Sequence, residues 1–397
     1  MNTGKSTIYI EFSLVDGGRA RRLLMRAVRS KPGSERTIWR AIAAALLAWL
    51  PLLILSTIEG TALHGNAHVP LLLDFAAYGR FLLAIPLLIA AEDNVAWQVT
   101  ASIRHFLASG LVRDEDLPQF ESAIKKATKE GNSLAMELTL LFLVYVWAAV
   151  DHFGAGEIDH LGFMWQGLTT EAGEQLNLAG WWFRLVSLPL LQFLILTWVW
   201  RIAVWSMFLS RTSKLRLRLN ATHPDAAGGL GFLGATHGAF ATVAFALGAA
   251  LSTILAREIV FEKAQAQAFR IPVVAFVILC LLLFLGPLLL FAPMLYSVRR
   301  RAIYDYGALA QICSRQFDDK WVKGGELEEK SILQSPDGSS LVNVARSYQL
   351  VKGMTIVPFG KSAILQIAVA AAAPILPLAF LVMPVADVLK LLMKVVH

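Results

Sequence analysis

The sequence LRLNATHPDAAGGLGFLGATHGAFATVAFALGAA occupies residues 217–250 and joins a basic loop to an apolar segment of helical character. Its THPD portion, residues 222–225, predicts a turn, because Pro fixes φ and the Thr and Asp side chains bond to nearby backbone. Asp225 is expected to act as the N-cap of the helix that follows. The glycines at 228, 229 and 231 admit positive φ and a close approach of other groups.

Small residues continue beyond the turn and predict a helix that packs closely against a neighbour. Gly234 and Gly238 are spaced as GxxxG, and the same surface continues through Thr242, Ala249 and Ser252. In membrane helices this pattern lets two backbones approach each other. The stretch therefore predicts a membrane helix entered from a tight polar turn.

Two interpretations of this turn remain open. Free amides and the positive end of a helix dipole favour an anion, which predicts an anion site formed by the side chains and glycines of the turn. Its members are His223, Asp225, Gly228, Gly229, Gly231 and His237. The alternative is a turn that serves helix packing alone. Pairing of His223 with His237 across the turn would favour the anion site.

The segment THPDAAGGLGFLG resembles a loop found in uncharacterised bacterial multi-spanning inner-membrane proteins. The resemblance covers about a dozen residues of this chain. It implies a bacterial cell membrane. It brings no activity, no cofactor and no catalytic residue with it.

Composition places the chain among membrane proteins. Of its 397 residues, 56% are hydrophobic, and the mean hydropathy is +0.57. These values predict an all-α polytopic transmembrane helix bundle. Cys280 and Cys313, the two cysteines, suit neither a disulfide framework nor a zinc site. The net charge of +7 follows the membrane topology, so no nucleic-acid partner is expected.

Seven apolar stretches are long enough to cross hydrocarbon, which predicts six or seven spans. They cover residues 39–58, 70–91, 133–150, 181–209, 232–256, 271–298 and 363–385. Lys and Arg number 28 in the segments on one side of these spans and 3 on the other. Because positive residues stay inside, the N-terminus and the THPD turn are expected on the cytoplasmic side of the membrane. The resemblance of the THPD segment implies that this is a bacterial inner membrane.

The chain is accordingly divided into four parts. A basic cytoplasmic segment, 1–38, is expected to lie on anionic lipids. Six spans fill 39–298, with a cytoplasmic helical loop at 92–132, and a cytoplasmic helical segment fills 299–362. Residues 363–397 form a Pro-interrupted seventh span and an interfacial tail. Whether this last segment crosses fully stays open, and a homo-oligomer is compatible with the pattern.

Charged residues inside the predicted spans are candidates for function, because an intramembrane charge costs at least ~2.5–3.5 kcal/mol. Asp74 and Arg80 lie within the second span, and Glu137 in the third is a candidate partner for Arg80. Arg201, in contrast, is expected to snorkel towards the interface beside Trp198 and Trp205, which are assigned to an aromatic belt.

Histidines of the predicted outer loops form a weak candidate metal site. His64 and His68 are spaced i, i+4, and His152 and His160 lie among acidic residues. Imidazole and carboxylate ligands suit a divalent metal. The spacing matches no closed site, and acidic outer loops are also what the topology predicts.

The sequence lacks the Walker A, G-x-S-x-G, H-E-x-x-H and CxxC motifs, so an enzyme is the less favoured class and no cofactor is expected. The leading expectation is a transporter or channel that moves a small ion or solute past Asp74 and Arg80. The alternatives are a membrane-embedded enzyme that uses His223, Asp225 and His237, and a non-catalytic scaffold or sensor.

Overall fold

The computed structural model describes residues 34–63, 69–153, 165–170, 173–261, 269–323 and 336–378. This part of the chain is helical apart from one short β-hairpin and its connections. The helices are α1 (Ser34–Ile58), α2 (Phe75–Ala108), α3 (Leu117–Gly131), α4 (Leu134–Phe153), α5 (Leu178–Thr212), α6 (Phe232–Gly238), α7 (Ala241–Phe261), α8 (Arg270–Leu285), α9 (Ala292–Phe317), α10 (Pro336–Gly353) and α11 (Lys361–Ala372).

Irregular turns interrupt or flank several of these helices. Two π-helical segments lie within helices, Tyr78–Ala84 in α2 and Phe183–Ser187 in α5, and a third, Asp318–Val322, follows α9. Short 3-10 helices occupy Leu71–Leu73, Asp114–Asp116, Gly286–Phe291 and Leu376–Leu378. The first two π-helical segments meet in an edge-on contact of Phe81 with Phe183, at 5.9 Å between ring centroids.

The β-hairpin defines one end of the bundle, here called the hairpin end. Strands β1 (Gly167–Thr170) and β2 (Gly173–Leu176) pair antiparallel. Beside them the Glu59 carboxylate, just past α1, accepts the Leu178 N–H at 2.7 Å and caps the start of α5. An all-α expectation omits this hairpin, which is too short to give a detectable alternating pattern.

The opposite end, here called the loop end, carries residues 213–231 and their contacts. The Arg218 N–H donates to the Leu111 carbonyl at 2.8 Å, which ties this segment to the α2–α3 connection. Arg211 and Glu130 form a two-point ion pair at 2.6 and 3.0 Å between α5 and α3. The Thr355 N–H donates to the Ala226 carbonyl at 2.7 Å and adds the α10–α11 connection.

The expectation of an all-α fold is confirmed for the described residues, and several of its helices could cross a membrane. Within the described residues, five helices are long and apolar enough to cross a membrane, or six if the bent pair α3–α4 is counted as one span. The helix Lys361–Ala372 is apolar but shorter, and it ends before Pro374. Residues 379–385 of the predicted seventh span, the tail that follows it and residues 1–33 of the basic segment 1–38 lie outside the described residues.

Two predicted boundaries between membrane and loop helices are absent from the described part of the chain. The second span and the start of the cytoplasmic helical loop predicted at 92–132 form one helix, Phe75–Ala108, because the buried face continues through Val95 and Val99 without a helix breaker. Likewise the sixth span runs without a gap into the cytoplasmic helical segment predicted at 299–362, giving a helix of 53 residues, Arg270–Val322. At 1.5 Å per residue it is about 80 Å long, so more than half extends beyond a ~30 Å hydrocarbon layer.

Close backbone packing joins α7 to α11. A Cβ on Gly248 would stand 2.2 Å from the Ala371 carbonyl oxygen, and one on Gly238 would stand 2.7 Å from Gln366 Oε1. A Cβ on Gly234 would stand 3.0 Å from the Phe359 Cα and from the Pro358 carbonyl oxygen. The small-residue surface predicted from the sequence therefore meets α11 and the residues just before it.

The glycine at position 248 gives a test of this packing. Gly248→Ala places a methyl group on a backbone oxygen that cannot move alone, so we expect the free energy of unfolding to fall by about 2 kcal/mol or more. Thermal unfolding of the purified protein in detergent measures the loss. Gly286→Ala is the matched control, since nothing lies within 4 Å of the position that its Cβ would occupy. Equal stability of the two variants would contradict the packing assigned to α7 and α11.

Candidate functional site

Three charged side chains from three helices meet in the interior. Glu92 of α2 has a side chain that is 4% exposed, and its two carboxylate oxygens accept from different guanidinium groups. Oε1 accepts from Arg201 Nη2 of α5 at 2.9 Å, and Oε2 accepts from Arg40 Nη2 of α1 at 2.8 Å. This arrangement, called the arginine cluster below, ties α1, α2 and α5 together.

Helical periodicity places the cluster residues inside the bundle. The buried face of α2 recurs every three or four residues and includes Ile85, Leu88, Glu92, Val95 and Val99. The buried face of α5 likewise includes Trp198, Arg201, Trp205 and Phe208. This spacing is present in the sequence, but hydropathy assigns Glu92 to a loop and places Arg40 at the second residue of the first predicted span, beside the basic N-terminal segment. Sequence reasoning therefore misses the cluster.

Two expectations for α5 are wrong. Arg201 is 7% exposed and paired with Glu92, so it does not snorkel to a membrane surface. Trp198 and Trp205 are 2% and 0% exposed, so they do not belong to an interfacial belt. Both indole N–H groups have partners inside the bundle, Trp198 with the Leu88 carbonyl at 2.9 Å and Trp205 with His237 at 2.9 Å.

The arginine cluster carries an excess positive charge, because two guanidinium groups share one carboxylate. Arg201 stacks over the Trp198 ring, with Cζ 5.0 Å from the ring centroid. Its Nη1 atom is buried and lacks a hydrogen-bond partner among the described residues. A buried donor left unpaired costs about 1–3 kcal/mol, and more when it is charged. The cluster therefore offers a charged donor edge to a small anion.

His237 is buried beside Trp205, which lies one helical turn from Arg201 on α5. Its Nε2 accepts from Trp205 Nε1, and its Nδ1 contacts the Phe284 carbonyl of α8, which places the ring proton on Nδ1. Beside it the Ser102 and Thr236 hydroxyls contact each other between α2 and α6. Both ring nitrogens of His237 are therefore used, and His237 does not pair with His223.

The THPD turn binds its own carboxylate. Asp225 Oδ1 accepts the N–H groups of Ala227 at 2.9 Å and Gly229 at 3.1 Å, while Oδ2 accepts the Gly231 N–H at 2.8 Å. The N-cap of α6 is Gly231, so the expectation that Asp225 is the N-cap is wrong. The amides that an external anion would need are bonded to Asp225, which favours the turn-and-packing interpretation.

The glycines of this turn are required for two different reasons. Gly228 and Gly229 have φ of +67° and +97°, as the sequence predicts. Gly231 has φ of −59°, so the expectation of positive φ there is wrong. At Gly231 a Cβ would instead stand 2.9 Å from the Asp225 Cβ. The glycine therefore leaves room for the carboxylate that binds its amide.

Burial and hydrogen bonding act in opposite directions on the pKa of Asp225. Burial raises the pKa of this carboxyl, but the amides of Ala227, Gly231 and Gly229, together with His223, outweigh burial and hold the pKa below its usual value. His223 Nδ1 lies 2.8 Å from Asp225 Oδ1, and the His223 side chain is 47% exposed. His223 thus contributes a half-exposed partner to a carboxylate that the backbone already holds.

Asp74 and Arg80 occupy the hairpin-end half of α2. Asp74 is the N-cap of α2, where Oδ1 accepts the Ala76 N–H and Oδ2 accepts the buried Trp165 indole N–H, both at 3.0 Å. It therefore precedes the helix and does not lie within it. Arg80 is half-buried in the π-helical segment Tyr78–Ala84. Glu137 lies in the first turn of α4, at the loop end, so its placement gives no support to a pair with Arg80.

The candidate metal ligands fall outside what can be described. His64, His68 and His160 lie outside the described residues, and for His152 only the backbone, in α4, is described. Among the described residues, no group of three or more His, Cys, Asp or Glu is arranged to hold a metal ion. The metal site stays a prediction.

Removing the Asp225 carboxylate tests its hold on the turn. We expect Asp225→Ala to lower the free energy of unfolding by about 2 kcal/mol, because three charge-assisted amide bonds are lost at a partly exposed site. His223→Ala removes only a half-exposed partner, so its cost should stay below about 1 kcal/mol. Thermal unfolding in detergent at pH 7 compares the two variants. Equal losses would contradict this division of roles.

The same carboxylate predicts a pH dependence. Because its folded-state pKa is lowered, its contribution is complete above the unfolded value of about 3.9 and is lost as the pH falls through the folded value. The difference in unfolding temperature between wild type and Asp225→Ala should therefore shrink as the pH is lowered from about 5 to 3. A difference that stays constant across this range would contradict the assignment.

Comparison with known proteins returns no match: no family model, no curated protein and no solved structure is similar to this chain. The resemblance of the THPD segment to bacterial membrane-protein loops stays a prediction.

Proposed function

We propose that this chain moves a small anion across a membrane, and that the arginine cluster is the site that receives the anion. The observation that carries the proposal is the buried Nη1 of Arg201, a charged donor without a partner among the described residues. A buried group of net positive charge is destabilising unless a ligand or a function compensates for it. Transport remains the proposed function, as expected from Asp74 and Arg80. The proposed binding site, however, is the arginine cluster in the loop-end half of the bundle.

The chemistry of the cluster favours an anion over a cation. A cation would meet two guanidinium groups, whereas an anion would meet one unpaired donor edge and two positive charges. Glu92 supplies a counter-charge that an incoming anion can displace in part from Arg201 or Arg40, because each of its oxygens binds one of them. The incoming anion replaces the Glu92 carboxylate at one guanidinium group and can be replaced by it again, so that binding stays reversible, as conduction requires.

The described structure corresponds to a closed state under this proposal. Between Asp74 and Glu92 the inward face of α2 is apolar and buried, with Phe81 and Ile85 at 0% and Leu88 at 1% exposure. An anion leaving the cluster towards the hairpin end must pass this layer. The π-helical segment Tyr78–Ala84 lies in the same stretch, and π-turns in helices are frequent at functional sites. Opening is therefore assigned to a change in this segment, which also carries Arg80.

The membrane proposed is a bacterial inner membrane, with the loop end in the cytoplasm. The resemblance of the THPD segment supports the bacterial membrane, and the excess of Lys and Arg in the predicted cytoplasmic segments supports the orientation. A homo-oligomer is compatible with this arrangement.

Orientation is tested by thiol labelling in intact cells. In a Cys280→Ala, Cys313→Ser background, we expect Gln175→Cys in β2 to react with an impermeant maleimide, because the hairpin end faces outwards. Lys126→Cys, an exposed position on α3, should react only after the cells are opened. Reversed labelling of the two positions would place the loop end outside and contradict the orientation.

Anion flux tests the function. In proteoliposomes supplied in turn with chloride, nitrate, phosphate and sulfate, Arg201→Gln should reduce the flux of the transported anion at least ~10-fold, since the unpaired donor edge is lost. Arg201→Lys keeps the charge without the planar fork and should retain part of the flux. Arg211→Gln is the matched control, because Arg211 lies on the same helix but pairs with Glu130 at 31% exposure.

The outcome separates transport from a purely structural ion network. A structural network predicts an Arg201→Gln variant of lowered unfolding temperature that conducts as wild type does once it is folded. Such a result, or an absence of flux for all four anions through the wild-type protein, would overturn the proposal. Loss of flux in Arg201→Gln with an unchanged far-ultraviolet spectrum, beside normal flux in Arg211→Gln, supports it.

A second candidate is a non-catalytic scaffold or sensor. The observation that favours it is the helical hairpin of α9 and α10, which extends beyond the apolar part of the bundle and exposes Tyr304, Ile312 and Val342. A scaffold should retain a partner on purification and lose it on removal of residues 303–352, whereas a transporter without this role should keep its flux after the same removal.

A further inference from the structure

A groove on the first turns of α9 lies where the apolar part of the long helix ends. It is an open depression of about 430 Å³, lined by six residues of this one helix: Tyr296, Ser297, Arg300, Arg301, Tyr304 and Asp305. Residues at spacings of four share a helix face, so the groove consists of two neighbouring rows, 296–300–304 and 297–301–305. Its position and chemistry differ from those of the arginine cluster and of the THPD turn.

The groove is placed at the level of lipid headgroups. From Ile271 to Val298 the chain carries no charged residue. These 28 residues would span about 42 Å as a helix, which exceeds a ~30 Å hydrocarbon layer and reaches the headgroup region. Arg299, Arg300 and Arg301 follow at once. The first charges of this helix therefore lie at the depth of lipid phosphates.

Two of these three arginines remain available to a ligand. Arg299 Nη2 donates to the Lys352 carbonyl of α10 at 3.2 Å, so this side chain turns towards the hairpin partner. Arg300 and Arg301 have no hydrogen-bond or ion-pair partner among the described residues, although Asp305 is spaced i, i+4 from Arg301. Tyr296 and Tyr304 beside them are 54% and 71% exposed. The groove thus presents two guanidinium groups and two phenol hydroxyls without partners in the described part of the chain.

The order of groups along α9 matches the order of groups in one class of lipid. Moving away from the apolar segment, the groove presents cations at 300 and 301 and then a carboxylate at 305, with the Tyr304 ring beside it. An aminophospholipid presents acyl chains, then a phosphate, then an ammonium group. Guanidinium groups bind phosphate through paired hydrogen bonds, and an ammonium group binds carboxylates and aromatic faces. A purely anionic headgroup would meet Asp305 unfavourably.

We propose that this groove binds the headgroup of an aminophospholipid such as phosphatidylethanolamine, with the phosphate on Arg300 and Arg301 and the ammonium group on Asp305 and Tyr304. The bound lipid covers the exposed face of α9 where it leaves the membrane. It thereby fixes the direction of the hairpin formed by α9 and α10.

Lipid binding to the purified full-length protein tests the site. Native mass spectrometry and thermal unfolding in detergent, with phosphatidylethanolamine, phosphatidylglycerol or phosphatidylcholine added, report the affinity for each lipid. We expect phosphatidylethanolamine to bind at least ~5-fold more tightly than the other two. The double variant Arg300→Gln, Arg301→Gln should lose at least ~10-fold in affinity for it. Asp305→Asn should keep phosphate binding and lose the preference between phosphatidylethanolamine and phosphatidylglycerol.

Controls separate this site from bulk charge effects and from soluble ligands. Arg315→Gln removes an exposed charge from the far part of α9 and should leave all three affinities unchanged. Each variant is first compared with wild type without added lipid, which shows that it is folded. Phosphoethanolamine and inorganic phosphate, added in place of lipid, should bind more than ~10-fold more weakly, because they lack the acyl chains.

Several results would overturn the proposal. Unchanged phosphatidylethanolamine binding in the folded double variant would remove the assigned phosphate ligands. A preference for this lipid that persists in Asp305→Asn would remove the ammonium ligand. Inorganic phosphate or phosphoethanolamine binding as tightly as the lipid would make the groove a site for a soluble phosphate. Loss of a dimer in the double variant, with lipid affinity unaltered, would make it an interface between copies of the chain.

Discussion

Glu92 is a carboxylate held between two guanidinium groups in the interior of an apolar bundle, and the arrangement of three helices depends on it. An ion that is 4% exposed cannot be left alone, because its solvation by water is lost and must be replaced. Arg40 and Arg201 replace it from different helices, which fixes α1 and α5 against α2. The same arrangement leaves one positive charge in excess. Architecture and the proposed anion chemistry therefore have one physical source.

At the loop end a second carboxylate is held in place, here by backbone amides. Asp225 satisfies three amides of a glycine-rich turn, and Gly231 must lack a side chain for the carboxylate to fit. The turn then meets Leu111 from the α2–α3 connection, Leu295 from α9 and Met354 from the α10–α11 connection, each within 3.3 Å of an added glycine Cβ. A segment with the composition of an anion-binding loop is thus a junction whose amides are already bonded to its own carboxylate. This explains why the catalytic trio His223, Asp225 and His237 is not assembled.

The proposals concern different depths of one membrane protein. The arginine cluster lies inside the bundle, where a missing hydrogen bond is expensive because water cannot supply it. The α9 groove lies at its surface, where guanidinium groups are open to a ligand because the helix has just left the apolar layer. A lipid headgroup suits the second setting and a small anion the first. In each, the unpaired donor is positive and the expected ligand presents a negatively charged group to it.

The sequence by itself determined the helical class, the apolar segments, the small-residue surface of α7 and the positive φ at Gly228 and Gly229. These follow from local properties: hydropathy, side-chain volume and backbone freedom. Tertiary structure decided which charged residues are buried and paired. The three- and four-residue spacing of the apolar residues around Glu92 and Arg201 already placed both on inward helix faces. Which guanidinium meets which carboxylate depends on residues 52 and 109 positions apart in the chain, and no local pattern encodes such pairings. The pairing of Trp205 with His237 was likewise decided by tertiary structure. An indole in an apolar helix is predicted to lie at the membrane interface, and only the folded bundle shows that its N–H donates to a partner inside.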